Sequence, residues 1–199
     1  MREYRCFLIG RWDALGRETT SYVECKQVAV IYIMEGVGLM SFKTADLCDE
    51  FANEVKVCMM EFNSYGKHKR FSGPIETVRV FEDNVLVKEA LQTIPEGSVL
   101  VVDGGGSKRC ALMGDLLGDI AQTRKLAGVI INGCARDTAD IGQQEIGVFA
   151  IGSHPMKSIK QGKGERNITL NFGDIDWEPG HYVYADEDGV IVAARNLIG

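Results

Sequence analysis

The 199-residue sequence has little that marks a nucleic-acid-binding or membrane-spanning protein. Acidic residues outnumber basic ones by 28 to 22, and the formal net charge is -6, whereas a sequence-independent nucleic-acid binder needs a basic face. The basic cluster Lys67 to Arg70 is short, and we interpret it as a solvated loop. The longest apolar run, Val28 to Met34, is far shorter than the roughly 20 residues that cross a bilayer. We therefore expect neither direct nucleic-acid binding nor membrane insertion.

Cysteine and histidine are too scattered to indicate a zinc site. The six cysteines contain no CxxC pair, and none of the three histidines stands at a ligand spacing from them. Cys110 and Cys134 have no apparent partner base, and we expect small buried residues there rather than nucleophiles. Since no signal peptide is recognisable, we expect a reduced, cytoplasmic protein.

Composition divides the chain near Met40. Residues 1–39 contain a strand-like run, Val28 to Ile33, among scattered glycines. We treat them as an N-terminal extension that either adds a strand or two or is a poorly integrated tail. The body, residues 40–199, begins with a short helix predicted over 41–51 and capped by Thr44.

The middle of the body alternates between strand and helix patterns. The sequence predicts strands and helices over these ranges: 75–80, 84–92, 99–102, 115–126, 129–131 and 146–151. Cys110 to Met113 is compatible with a further short helix, and we expect Gly128 to end the helix that begins at Asp115. Strand–helix–strand order implies a parallel βαβαβ unit with right-handed crossovers.

After Pro155 the pattern changes to short strands joined by tight turns. The predicted strands cover 168–172, Trp177, 182–185 and 190–193. Asp186 and Asp188 resemble a metal-binding loop only superficially, and we interpret them as part of a hairpin turn. The predicted fold class is therefore α/β, with a central parallel unit and a C-terminal antiparallel β section.

The glycine run Gly104 to Gly106 does not complete a nucleotide-binding motif. A GxGxxG match from Gly104 places Arg109 where the third glycine belongs, and the spacing and Lys-Ser/Thr order of a P-loop are missing. We interpret the run as a turn that brings backbone close to a neighbouring element.

The strongest candidates for chemistry are Gly114-Asp115-Leu116-Leu117 and, further along, Arg136-Asp137. Both groups lie where a predicted strand ends, which is the edge that binds ligands in open α/β sheets. We expect Gly114 to take a conformation closed to other residues, so that the N–H groups at the helix start suit a carboxylate or phosphate. We expect Asp115 at the cap position, reaching the next strand end. From the pattern alone a second interpretation stays open: an ordinary N-cap and a surface ion pair.

From about Met40 to Leu197 the chain resembles the regulator of ribonuclease activity A family, which shares its fold with class II 4-hydroxy-4-methyl-2-oxoglutarate aldolases. The aldolase signature, an Asp, twenty residues and then Arg-Asp, is matched by Asp115 and Arg136-Asp137. Some members of the regulator branch lack the final Asp, which this chain keeps. Four runs are most similar to the regulator branch: 81–84, 101–107, 171–173 and 184–190.

The resemblance implies a swivelling β/β/α-type single domain that forms a homotrimer or a hexamer with sites at subunit boundaries. It implies a divalent cation, Mg²⁺ or Mn²⁺, bound directly by Asp137 and through water by Asp115. It also implies that Gly114 to Leu117 hold the substrate carboxylate through backbone amides and that Arg136 contacts the oxygens of a 2-keto acid.

Two functions follow from these observations. The first is a metal-dependent lyase that cleaves or decarboxylates short 2-keto acids through a pyruvate enolate, in which Asp115 and Arg136 are catalytic. The second is a non-catalytic regulator that binds and inhibits a ribonuclease E-type endoribonuclease, or binds a helicase partner. A methyltransferase activity is not expected, because the sequence has no glycine-rich cofactor loop of the required kind.

Overall fold

The computed structural model describes residues 11–12, 18–19 and 42–198. Chain contacts divide the protein into two units, Met1–Leu39 and Met40–Gly199. In the first unit, Arg11–Trp12 (β1) pairs antiparallel with Glu18–Thr19 (β2). The strand predicted over 28–33 lies outside the described residues, and the role of 1–39 as an extension stays a prediction.

The second unit contains both helices and strands. Its helices are α1 (Thr44–Glu50), α2 (Val85–Thr93), α3 (Asp115–Thr123) and α4 (Thr138–Ile141). Its strands are β3 (Val55–Val57), β4 (Asn63–Ser64), β5 (Phe71–Arg79), β6 (Val99–Asp103), β7 (Ala111–Met113), β8 (Gly128–Ala135), β9 (Gly147–Ser153), β10 (Glu165–Arg166), β11 (Leu170–Phe172), β12 (Ile175–Trp177), β13 (Tyr182–Ala185) and β14 (Val190–Ala193). Across the described ranges, no helix is long and apolar enough to cross a membrane.

Ten of these strands form one mixed sheet. Their order is β3-β14-β13-β5-β6-β8-β9-β4, with β10 beside β5 and β7 beside β8. The neighbours β5, β6, β8 and β9 are parallel, as is β7 to β8, whereas β13 and β14 pair antiparallel and join this unit through β5. The predicted α/β fold, with its parallel unit and antiparallel C-terminal section, is therefore confirmed.

The sheet is buried on both faces in its parallel region. In β6, Leu100 and Val102 pack with residues of α2 and α3 in one core cluster, and Val99 and Val101 pack in another cluster that includes Trp177. Successive side chains of a strand point to opposite faces, so a continuous apolar run is what a doubly covered strand requires. This burial fixes where the carboxyl ends of β6, β7 and β8 lie.

The predicted helix over Cys110 to Met113 is wrong, because this segment forms β7. Ala111 pairs with Cys134 in β8, and the N–H of Ala111 donates to the carbonyl of Met156 at 2.8 Å. Three apolar residues carry too little periodicity to distinguish a strand from a helical turn. The long-range partners on both sides decide the conformation.

The predicted end of α3 at Gly128 is also wrong. The helix ends at Thr123, and Lys125 takes the left-handed conformation with φ 53°. The N–H of Lys125 donates to the carbonyl of Gln122, and the N–H of Leu126 donates to that of Ala121. These two hydrogen bonds form a Schellman motif, which a glycine usually completes. Gly128 instead begins β8.

Thr44 does not cap α1 as predicted, because it is the first helical residue and the N-cap is Lys43. Its hydroxyl and its N–H donate to the two carboxylate oxygens of Asp186, both at 2.7 Å. Asp186 also accepts from the N–H of Asp188 in the turn between β13 and β14. The hairpin interpretation of this acidic loop is confirmed, and its buried carboxylate anchors α1.

Candidate active site

The two halves of the candidate site meet because β7 runs parallel to β8. Gly114 follows the last residue of β7, and Arg136 follows the last residue of β8. The backbone N–H of Arg136 donates to the carbonyl of Met113 at 2.9 Å. Parallel strands bring their carboxyl ends to the same edge of a sheet. The structure therefore brings the start of α3 next to the Arg136-Asp137 pair.

Gly114 is required by space rather than by backbone conformation. Its φ of -139° and ψ of -173° are extended and open to any residue, so the prediction of a conformation closed to others is wrong. A Cβ atom on Gly114 would lie 2.7 Å from Oδ2 of Asp137 and 3.1 Å from Nε of Arg136. Both distances are shorter than ordinary contacts. The missing side chain lets the Arg136-Asp137 pair lie against the start of α3.

Asp137 holds its carboxylate at this edge from a left-handed backbone. Its φ is 51° and its ψ is 39°, a conformation that aspartate tolerates better than most residues. Its side chain makes no capping hydrogen bond to α4, and its Oδ2 lies 3.2 Å from Nε of Arg136. Both side chains are 36% exposed. The carboxylate is thus oriented by one ion pair and remains accessible to a further ligand.

Asp115 is the first residue of α3 and not its cap, which is Gly114 with no side-chain hydrogen bond. The predicted capping role is therefore wrong, although a carboxylate in the first turn still lies favourably near the positive end of the helix dipole. The N–H groups of Leu117 and Gly118 both donate to the carbonyl of Gly114 at 3.1 Å. The N–H groups of Asp115 and Leu116 precede these bonds at the start of the helix, where N–H groups have no acceptor within the helix and suit an anion.

A cavity of about 710 Å³ covers this edge. Five of the residues predicted from the sequence line it: Gly114, Asp115, Leu116, Leu117 and Arg136. Asp137, the predicted metal ligand, is not among its lining residues and adjoins the cavity through its ion pair with Arg136. Helix α2 and the segment after β9 supply others, among them Asn84, Lys88, Glu89, Lys157, Ser158 and Lys160. The volume lies within the range of sites for small molecules.

The cavity wall carries more positive than negative charge. Its cationic side chains are Lys88, Arg136, Lys157 and Lys160, and its acidic ones are Asp115 and Glu89. The hydroxyl of Ser158 is buried there, and it has no hydrogen-bond partner. A low-dielectric cleft with this charge balance favours an anionic ligand. The lysines and Ser158 were not predicted as site residues from the sequence. Among the residues that the structure adds to the cavity wall, only Asn84 lies in one of the four runs that resemble the regulator branch.

The oxygen donors at the site suit a hard divalent cation. Asp115 and Asp137 supply carboxylates from the two adjoining segments. In the part of the chain that the structure describes, no three His, Cys, Asp or Glu side chains group closely enough to hold a metal by themselves. Mg²⁺ is commonly bound by one or two carboxylates while it keeps several waters. The residues present fit such a cation.

Cys110 and Cys134 are buried small residues, as predicted, with exposed fractions of 7% and 1%. Burial raises the pKa of both thiols. A raised pKa lowers the thiolate fraction at neutral pH, and the thiolate is the nucleophilic form. Neither cysteine is therefore suited to nucleophilic attack.

The glycine run after β6 is a packed turn, which confirms its interpretation. Gly105 and Gly106 have φ of 66° and 69°, and the N–H groups of Gly104 and Gly106 both donate to the carbonyl of Asn132. A Cβ atom on Gly104 would lie 2.7 Å from that carbonyl oxygen. The glycines serve a close approach between β6 and β8.

The fold and the cavity define an α/β domain with a cavity of small-molecule size at the carboxyl ends of parallel strands. A sequence model of the RraA-like family, described as Aldolase/RraA, matches residues 44–192. The chain belongs to this family.

Similar proteins carry different functional names. A Bacillus anthracis protein with the provisional name 4-hydroxy-4-methyl-2-oxoglutarate aldolase is 57% identical over 156 residues, which cover 78% of this chain and 98% of that protein. A solved structure of the RNA-processing inhibitor RraA from Thermus thermophilis is 41% identical, with a TM-score of 0.77 and coverage of 80% and 97%. A structure from Geobacillus kaustophilus HTA426 is titled S-adenosylmethionine:2-dimethylmenaquinone methyltransferase; it is 63% identical, with a TM-score of 0.78 and coverage of 78% and 97%.

Proposed function

We propose that the protein is a divalent-metal-dependent lyase that cleaves or decarboxylates short 2-keto acids, of the 4-hydroxy-4-methyl-2-oxoglutarate aldolase and oxaloacetate decarboxylase type. The observation that carries the proposal is the contact between Gly114 at the start of α3 and the Arg136-Asp137 pair after β8. Relatives named as aldolases support a lyase. The excess of cationic side chains in the cavity supports an anionic substrate.

Backbone and side chain divide the binding of the substrate between them. The N–H groups of Asp115 and Leu116 would donate hydrogen bonds to the substrate carboxylate at the helix start, where the helix dipole favours negative charge. The guanidinium of Arg136 would donate to the keto oxygen. Because a guanidinium presents a rigid fork of donors, it also orients the bond that breaks.

The electron balance explains why a fixed positive charge is needed. When oxaloacetate loses CO₂, or a 4-hydroxy-2-keto acid loses its carbonyl product, the bonding electrons remain on the pyruvate fragment as an enolate. Arg136, which lines the cavity, would stabilise that negative charge, and such preorganised donors are each worth on the order of 10²–10³ in rate. Asp115 would exchange protons with the reacting groups through a water molecule.

Asp137 would hold the cation, Mg²⁺ or Mn²⁺, and Asp115 would contact it through water. A bound divalent cation supplies Lewis-acid stabilisation of negative charge on oxygen. The ion pair between Arg136 and Asp137 sets the orientation of the carboxylate.

Release of pyruvate from oxaloacetate tests the proposal. We expect turnover that requires Mg²⁺ or Mn²⁺ and that is lost in Asp137→Ala. Asp140→Ala is the matched control, since Asp140 is an exposed aspartate in α4, three residues further along. Full activity in Asp137→Ala, or no metal-dependent turnover in the wild type, would remove the proposal.

A second candidate function is binding and inhibition of a ribonuclease E-type endoribonuclease or binding of a helicase. It is favoured by the likeness to a structure titled as the RNA-processing inhibitor RraA. Retention of such a ribonuclease on the immobilised protein, with slower RNA cleavage, would support this function. If Asp137→Ala also retains and inhibits the ribonuclease, this second function does not depend on the proposed catalytic site.

A further inference from the structure

The side chain of Gln144 connects the segment after α4 to the first turn of α3. Gln144 is 8% exposed, and its Nε2 donates to the carbonyl of Asp115 at 2.9 Å and to Oδ1 of Asp119 at 2.7 Å. These two acceptors are one helical turn apart. One buried amide therefore spans the first turn of α3, whose residues 115–117 line the cavity.

Gly118 makes room for this amide. A Cβ atom on Gly118 would lie 2.8 Å from Cδ and 3.2 Å from Nε2 of Gln144, and it would overlap Oε1. A helix with glycine in its interior is less stable than the same helix with alanine at that position. Its position within the nine-residue α3 is explained by the space that Gln144 occupies.

Gln144 is itself held by the segment that carries Asp137. Its N–H donates to the carbonyl of Ile141 at 3.0 Å, and its carbonyl accepts from Lys67 and Ile146. Ile141 is the last residue of α4, the helix that Asp137 precedes. The short segment 137–144 thus holds the candidate metal ligand at one end and the contact to α3 at the other.

We propose that Gln144 is a positioning residue that keeps the N–H groups of Asp115 and Leu116 in register with Arg136 and Asp137, and that Gly118 is glycine in order to admit it. The inference rests on the proposed function. It assigns the two residues to substrate binding through α3, although neither touches the substrate.

Four variants test this assignment by a split between KM and kcat for oxaloacetate. Gln144→Ala removes two hydrogen bonds, and we expect KM to rise roughly tenfold with a smaller change in kcat. Gly118→Ala displaces the amide and should raise KM at least as much. In the double variant the new methyl group has nothing to displace, so KM should match that of Gln144→Ala alone. Gln122→Ala is the matched control, because Gln122 accepts from the N–H of Glu145 at the far end of α3.

Amide hydrogen exchange gives a readout that does not need turnover. The N–H of Leu117 donates to the carbonyl of Gly114 within the first turn, and Gln144→Ala should speed its exchange while Gln122→Ala leaves it unchanged. If the wild type does not turn over oxaloacetate, the proposed function fails and this exchange alone decides the role of Gln144. The inference would be overturned if the amide exchange of Leu117 is unchanged in Gln144→Ala, if the KM effects multiply in the double variant, or if KM rises as much in Gln122→Ala as in Gln144→Ala.

Discussion

Gly114 and Asp137 touch across the ends of two parallel strands, with only 2.7 Å between the Asp137 Oδ2 atom and the place where a Cβ of residue 114 would stand. Gly114 is the N-cap of α3, whose first residues line the cavity, and Asp137 carries the accessible carboxylate. The contact ties the proposed anion-binding and cation-binding groups into one unit. A change at Gly114 should therefore affect function without affecting the fold.

Gly114→Ala is the most specific test of that contact. Alanine adopts the extended conformation of residue 114 without strain, so we expect the melting temperature to stay close to that of the wild type. The added methyl group displaces the Asp137 carboxylate and the Arg136 side chain, and kcat/KM for oxaloacetate should fall by on the order of 10². Gly152→Ala is the control, because its Cβ would lie 3.5 Å from Sγ of Cys134, an ordinary contact. Equal activity in the two variants would show that the contact has no functional weight.

Arg136 should contribute both charge and geometry. Arg136→Met should lower kcat by on the order of 10²–10³, because it removes a fixed donor from the developing negative charge. Arg136→Lys keeps the charge without the planar fork, and its kcat should lie between those of the wild type and Arg136→Met. Steady-state kinetics of pyruvate release measure the difference. Arg124→Met, at the other end of α3, is the control and should keep the wild-type kcat. A kcat of Arg136→Lys equal to that of the wild type would contradict the geometric role of Arg136.

The buried carboxylate of Asp186 should make the free energy of unfolding depend on pH in the acidic range. Burial alone would raise its pKa, but hydrogen bonds from Thr44 and from the N–H of Asp188 outweigh it and hold the pKa below its ordinary value of 3.8. A carboxylate whose pKa is lower in the folded than in the unfolded state stabilises the fold fully when the pH is above its unfolded-state pKa. This stabilisation is lost as the pH falls through its folded-state pKa. Urea unfolding should show the free energy of unfolding decreasing below about pH 4. Asp186→Asn should be less stable at neutral pH and less sensitive to acid, and an unchanged pH profile would contradict the assignment.

The protein should assemble into three or six copies. This number of copies is what the resemblance to the regulator of ribonuclease activity A family implies, and the exposed apolar side chains Met59, Phe81, Leu116, Met156 and Ile159 are available for contacts between copies. Light scattering after size exclusion should give three or six times the chain mass of 21.9 kDa. A mass of one chain across micromolar concentrations would contradict the assembly.

The sequence predicts the parallel unit well, because its strands are continuous apolar runs such as 99–102 and its helices have one apolar face. Both signals are local, and burial on two faces leaves little choice. The sequence fails at β7 and at the end of α3. Pairing with β8 and with the segment at Met156 decides the first, and a left-handed Lys125 decides the second.

The candidate site divides in the same way. Arg136 and Asp137 follow the predicted strand 129–131, and Asp115 begins the predicted helix 115–126, so the sequence identified these residues although it missed the strand β7 that brings them to one edge. Lys157 and Ser158 reach the cavity because Lys157 forms a β-bridge with Ala111 in β7. Gln144 reaches α3 because a turn after α4 aims it there. Neither long-range contact leaves a periodic or spaced signal in the chain.

A crystal soaked with Mn²⁺ and oxalate, an analogue of the pyruvate enolate, would show whether Asp137 holds a cation beside the proposed substrate-binding groups. We expect an anomalous manganese peak beside the Asp137 carboxylate, with oxalate oxygens near the N–H groups of Asp115 and Leu116 and near the Arg136 guanidinium. Manganese bound away from Asp137, or oxalate bound outside the cavity at the start of α3, would contradict the proposed site.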